Sequence, residues 1–306
     1  MRFLILLFLL ASPPAWAAKY IVGGQEVNQP DPIQQSTVGI FSPSPDQHSG
    51  SLCTGTIVRS NMVLTAAHCI PTGVAKPVVI FGPDLHAPVA PHREVEGVAV
   101  NPKWRKRAGK GMDQGDIALV KFRGPLPEGY KKVPVVGSDQ DIRSGDNVTL
   151  AGYGINDARA KTGAGRLRKT EVQIVKNRPG KSEMILDQKR GRGACHGDSG
   201  GPAFLNRGGR VILAGVTNRG YPNHGPDDCA HQSVYTKVPA YRSWIESSEK
   251  KLEGGPSLPS LAKNERTVSR KILSKKIHLS KKVRKKPARP KSPKVRIIKQ
   301  HLRRRR

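Results

Sequence analysis

Short apolar runs separated by turn residues fill the middle of the chain. Gly55-Thr56-Ile57-Val58, Pro77 to Phe81, Ile117 to Val120, Asn147 to Ala151 and Val211 to Val216 are each four to six residues long and rich in Val, Ile and Leu. Runs of that length, bounded by Gly and Pro, predict strands of a β-sandwich or of barrels. Arg123 to Gly129 has two prolines and no periodicity, which predicts a connection between two β halves. The pattern changes at Pro239. Tyr241, Trp244 and Ile245 recur at three-to-four spacing behind that proline and predict a closing helix over Pro239 to Glu246.

The ends of the chain read differently. Arg2 precedes an apolar run from Phe3 to Leu10, and Ala15-Trp16-Ala17 then supplies a small-x-small cleavage site. The run is too short to span a bilayer, so residues 1–17 are expected to be a signal peptide and the protein to be secreted or periplasmic. The 306 residues carry a formal net charge of +30, unevenly spread. From Lys250 onward there are 22 Lys or Arg against two acids. Residues 251–306 have no aromatic residue, and Pro287, Pro290 and Pro293 recur every three residues. Such a segment buries too little apolar surface to offset the entropy of ordering. A disordered basic tail is expected, either simply solvated or attached to an anionic surface or polyanion. Without stacking side chains it is not expected to read nucleic-acid sequence.

Four cysteines, Cys53, Cys69, Cys195 and Cys229, allow three disulfide pairings, and their spacing does not match a zinc site. The stretch from Ile70 to Phe81 has no Asp or Glu, which argues against a calcium loop there. No metal and no cofactor is expected.

Three segments carry chemistry. Gly197-Asp198-Ser199-Gly200-Gly201-Pro202 offers a hydroxyl among glycines, and Leu64-Thr65-Ala66-Ala67-His68-Cys69 offers an imidazole among small residues. Asp116, followed by Ile117, Ala118 and Leu119, offers a carboxylate expected to be buried, whereas Asp113 sits among residues typical of an exposed loop. A serine hydroxyl is a weak nucleophile until a base takes its proton, and the base must be held in the right tautomer. Ser199, His68 and Asp116 meet those needs. The backbone N–H groups of Gly197 and Ser199 are placed to receive the negative charge of a tetrahedral intermediate.

These motifs, with Ile21-Val22-Gly23-Gly24 upstream, resemble the trypsin/chymotrypsin family of serine endopeptidases from Ile21 to about Glu246. The resemblance implies an all-β fold of two packed six-stranded antiparallel barrels with a C-terminal helix, over residues 21–250. It implies the pairs Cys53–Cys69 and Cys195–Cys229, a monomer, and protein or peptide substrates. It also implies activation: proteolysis after Tyr20 removes the short pro-segment 18–20 and frees the Ile21 amine to pair with Asp198. Tyr20 stands where many relatives have Lys or Arg. Gly193 falls at the base of the primary pocket, where trypsin-like members carry an aspartate, so cleavage after Lys or Arg is not expected. Thr217, Asn218, Arg219 and Ser233 are implied as pocket walls, with Thr217 bonded to Asp116 and Arg219 lining the pocket, blocking it or meeting an acidic substrate residue. The alternative is a catalytically silent protein of the same fold, tethered to polyanions by its tail.

Overall fold

A computed structural model describes residues 21–27, 30–44, 49–71, 77–189, 191–222 and 229–254. The expected signal, the pro-segment and the tail beyond residue 254 lie outside them.

β1 (Gln25–Glu26) leads into a first group of six strands: β2 (Thr37–Pro43), β3 (Gly50–Arg59), β4 (Met62–Thr65), β5 (Val78–Ile80), β6 (His92–Val100) and β7 (Ala118–Phe122). They close antiparallel in the order β2-β3-β4-β7-β6-β5. The second group is β8 (Asn147–Gly152), β9 (Arg168–Lys176), β10 (Glu183–Asp187), β11 (Pro202–Arg207), β12 (Arg210–Tyr221) and β13 (Gln232–Lys237). Its ring runs β9-β10-β13-β12-β11-β8 and closes through β8–β9, with β1 added at the β9 edge. Closure removes the unpaired edges that open sheets expose. All five predicted runs fall in or overlap these strands.

Each barrel has its own apolar filling. Phe81 packs edge-on against Phe122 and Tyr130 in the first. Val148, Leu150, Ile174, Met184 and Leu205 fill the second. In β9 the buried positions Arg168, Thr170, Val172 and Ile174 alternate with more exposed ones, as a strand with one solvated face requires. Arg123 to Gly129 does begin the link between barrels, which continues to the start of β8.

The barrels are joined by specific bonds as well as by apolar contact. Tyr153, immediately after β8, is fully buried, and its hydroxyl donates to the carbonyls of Thr37 at 3.0 Å and Gly82 at 2.9 Å in the first barrel. The predicted closing helix is a short turn at Pro239–Tyr241 followed by α2 (Arg242–Gly254). α2 therefore runs four residues past the expected domain end at 250. It returns to the first barrel, where Glu249 meets Arg59 at 2.8 Å and the Leu252 carbonyl accepts from Lys121 at 3.0 Å.

Candidate active site

The expected base, His68, and its expected carboxylate, Asp116, come from the first barrel. His68 sits in a short turn, Ala67–Cys69, directly after β4, and Asp116 precedes β7, which pairs with β4. Strand pairing thus brings together residues 48 apart in sequence. Asp116 is fully buried and accepts twice from His68: from the backbone N–H at 2.9 Å and from Nδ1 at 2.7 Å. The Nδ1 bond fixes the tautomer and leaves Nε2 to take a proton. Burial lowers the pKa of His68, but the hydrogen bond and charge of Asp116 outweigh it, and the net shift is upward from 6.5. Asp113 serves elsewhere. It accepts from the N–H groups of Lys181 and Ser182 and from the Ser182 hydroxyl, and these bonds lower its pKa against the opposing effect of burial.

Ser199, the expected nucleophile, comes from the second barrel but is gripped by the first. Ser199 presents its carbonyl to the Thr54 N–H at 2.8 Å. The Thr54 hydroxyl donates to the Gly197 carbonyl at 3.0 Å and accepts from the Tyr153 N–H at 3.1 Å. Cys53, the neighbour of Thr54, is disulfide-bonded to Cys69, the neighbour of His68, with Cα atoms 6.1 Å apart. The Cys69 sulfur lies 3.6 Å from the Ser199 carbonyl oxygen. No hydrogen bond among the described residues joins the Ser199 hydroxyl to His68. Such contacts are often long without substrate and tighten when it binds.

Gly197 has φ +97, a left-handed conformation that glycine adopts without strain. A Cβ there would lie 2.9 Å from the Gly154 Cα. Among the described residues, neither the Gly197 nor the Ser199 N–H has a protein acceptor, so both donors remain available for a ligand.

Asp198 is fully buried beside them. Its carboxylate accepts from the N–H groups of Gly154 and Cys195, both at 2.8 Å. Burial pushes its pKa up to about 6 even though these bonds and the charge of Arg168 oppose the shift. Gly152 and Gly154 make room for it: a Cβ at either would come within 2.2 or 2.6 Å of the carboxyl group. Ile21 is buried, and its neighbour Val22 accepts from the Gly193 N–H at 2.8 Å.

The expected pocket residues need two corrections. Thr217 does not reach Asp116; its hydroxyl donates to the Gly201 carbonyl at 2.9 Å. β12 bulges between Thr217 and Arg219, and the bulge turns Asn218 inward instead. With its amide oriented so that both ends find partners, Asn218 donates to Asp116 Oδ2 at 2.9 Å and accepts from Arg219 at 3.0 Å. Arg219 is not free to meet a substrate acid. Its guanidinium binds the buried Glu183 carboxylate at 3.1 and 3.2 Å and donates to the Gly111 carbonyl at 3.2 Å. A side chain at Gly193 is excluded, because a Cβ would lie 2.2 Å from Gln188. Gln188 itself is buried and clamps Ala194 and the Cys229 carbonyl. Ser233 is buried on β13, two residues from the buried Tyr235.

The second disulfide is Cys195–Cys229, with Cα atoms 5.1 Å apart. His68 and His196 each lie near a cysteine pair, but those sulfurs are bonded to each other and are not thiolate ligands. The sequence motifs did not mark Thr54, Glu183 or Gln188, and they marked Asn218 as a pocket wall but not as a partner of Asp116. The repeated glycines of Gly152-Tyr153-Gly154 were the one visible trace of the space that Asp198 needs.

Comparison with known proteins fits this geometry. The family model described as Trypsin matches residues 21–245. A relative named Trypsin Blo t 3, from Blomia tropicalis, is 27% identical over 253 residues, covering 76% of this chain and 86% of its own.

Proposed function

The chain belongs to the trypsin family, and on that premise we propose that it is a secreted serine endopeptidase acting through Ser199, His68 and Asp116. The observation that carries the reading is the doubly hydrogen-bonded His68–Asp116 pair, set on the same two-residue clasp that grips the Ser199 peptide. His68 Nε2 removes the Ser199 proton as the hydroxyl attacks the substrate carbonyl. Asp116, locked by His68 and Asn218, stabilises the imidazolium that forms. The Gly197 and Ser199 N–H groups receive the oxyanion, a contribution of about 3 kcal/mol per donor. His68 then delivers its proton to the leaving amine, and water repeats the sequence on the acyl-enzyme.

Activation follows from Asp198. A buried carboxylate without a cation is costly, and cleavage after Tyr20 creates an ammonium on Ile21 that can supply one. Removal of a signal after Ala17 leaves only Ala18-Lys19-Tyr20 to be trimmed. The uncharged Gly193 favours an apolar residue over Lys or Arg before the scissile bond. The basic tail is proposed to hold the enzyme at an anionic surface or polymer.

Labelling with a fluorophosphonate tests the reading. The form beginning at Ile21 should label at Ser199 and the full-length form far less. Absence of labelling after correct processing would favour the silent binding protein. A peptide-library cleavage profile then gives the primary specificity.

A further inference from the structure

The segment leading to Asp116 carries a charge pattern that the triad does not use. α1 (Pro102–Arg107) and the loop after it hold Lys103, Arg105, Lys106, Arg107 and Lys110, with Asp113 the only acid up to Asp116. Arg105, Lys106, Arg107 and Lys110 are exposed. Among the described residues, no carboxylate lies within 4.0 Å of any of the five cationic groups. Asp113 is felt by Lys103, whose charge helps to lower the Asp113 pKa against the effect of burial, while its oxygens accept from Lys181 and Ser182; Arg105, Lys106, Arg107 and Lys110 have no such carboxylate among the described residues.

This segment is fixed against the catalytic residues on two sides. The Trp104 ring lies 6.2 Å from the His68 ring, centre to centre. A Cβ on Gly115, next to Asp116, would strike Lys103 at 2.8 Å. On the far side the Gly111 carbonyl accepts from Arg219, within the wall read above as lining the primary pocket. If that wall lines the pocket for the side chain before the scissile bond, as the endopeptidase reading has it, the segment borders the residues that precede that bond. Its backbone is also braced: Asn101 caps α1 by accepting from the Lys103 N–H at 2.9 Å, and Arg107 donates to the carbonyls of Lys110 and Met112.

We propose that the segment from Lys103 to Lys110 is a cationic rim over the acyl side of the cleft that selects peptide substrates carrying Asp or Glu shortly before the scissile bond. The inference rests on the endopeptidase reading. Exposed charges in a braced loop attract an acidic chain without the desolvation cost of a buried pair, and the attraction is screened by salt. Arg219 takes no part, since Glu183 already neutralises it.

The test uses the processed protein, residues 21–306, and peptides that differ only in the two to three residues before an apolar cleavage residue. Acidic peptides should exceed their alanine counterparts in kcat/KM by about fivefold at low salt, through KM, consistent with a few exposed charge pairs. The ratio should fall toward one in high salt and in the variant R105Q/K106Q/K110Q, which keeps the Arg107 brace and the basic tail. Equal cleavage of both peptides overturns the proposal, as does a preference that survives in the variant. Ser199→Ala protein separates this inference from the activity: labelled acidic peptide should still bind about fivefold more tightly than the alanine peptide. Equal binding there defeats the rim even if the enzyme is active, as does a preference that survives when R105Q/K106Q/K110Q is added to Ser199→Ala with the tail intact. A preference lost on that addition supports the rim even if no peptide is cleaved.

Discussion

Arg219 closes over Glu183, with two guanidinium nitrogens 3.1 and 3.2 Å from the oxygens of a carboxylate that has no solvent exposure. The Gln114 N–H also donates to that carboxylate, so the pair ties β12 to the segment before Asp116. Removing one partner leaves a buried charge, and Arg219→Ala should cost about 3 kcal/mol. The double variant Arg219→Ala/Glu183→Gln should cost less than the sum of the two single changes. Denaturant midpoints measure this, and strict additivity would show that the pair is not coupled.

Asp198 predicts a pH dependence for the uncleaved chain. Its folded pKa is raised from 3.8 to about 6, chiefly by burial. Between those values the folded state keeps a proton that the unfolded state has released. Stability therefore falls as pH rises from about 4 to about 6, by roughly 3 kcal/mol in total. Asp198→Asn should flatten that limb in the uncleaved form, and cleavage after Tyr20 should remove it. Melting curves across the window check both, and an equally steep fall in Asp198→Asn would assign the effect elsewhere.

The base should titrate above its ordinary value. Because Asp116 raises the pKa of His68, the acid limb of kcat/KM should lie above pH 6.5 in the wild type. Asp116→Asn should move the limb to lower pH and reduce kcat by about 10⁴-fold, the magnitude typical of a serine triad that loses its orienting carboxylate.

Asn218, not Thr217, supports Asp116. Asn218→Ala removes a hydrogen bond to a charged acceptor and should lower kcat/KM at least tenfold, on the order of 1.5 kcal/mol. Thr217→Val should have a smaller effect. The opposite ranking in steady-state kinetics would mean that the donor is misassigned.

Gly152→Ala should be destabilising by about 1–3 kcal/mol, because its methyl group would fall 2.2 Å from the Asp198 carboxylate. The same change at Gly137, which also lacks a positive φ and where a Cβ would meet nothing closer than 3.7 Å, should cost little. Comparing the two by thermal denaturation isolates the steric cost.

The strands and the reactive residue types were legible in the sequence for a physical reason, whereas the two six-stranded barrels were implied only by the family resemblance. Short strands impose a local pattern, and motifs such as the one around Ser199 combine a reactive residue with the glycines that its backbone needs. The bond from Asn218 to Asp116 was not legible, because only a bulge decides whether Thr217 or Asn218 faces Asp116, and a bulge leaves no signature in composition. The role of Arg219 was equally hidden. Its partner, Glu183, lies 36 residues away on another strand, and a charge that looks available in sequence is consumed by that contact. Asp113 and Asp116 could be ranked by the residues around them, yet the bonds that occupy Asp113 come from Lys181 and Ser182, far along the chain.

Cys53 and Thr54 are adjacent on β3. One is bonded through sulfur to the turn that carries the base, and the other holds both Gly197 and Ser199. The spacing between His68 and Ser199, the proposed proton acceptor and nucleophile, is thus recorded in a single dipeptide. The cationic segment beside Trp104 lies outside that dipeptide, so a change in its length or charge need not reset that spacing. Substrate preference can therefore drift while the reaction itself stays in alignment.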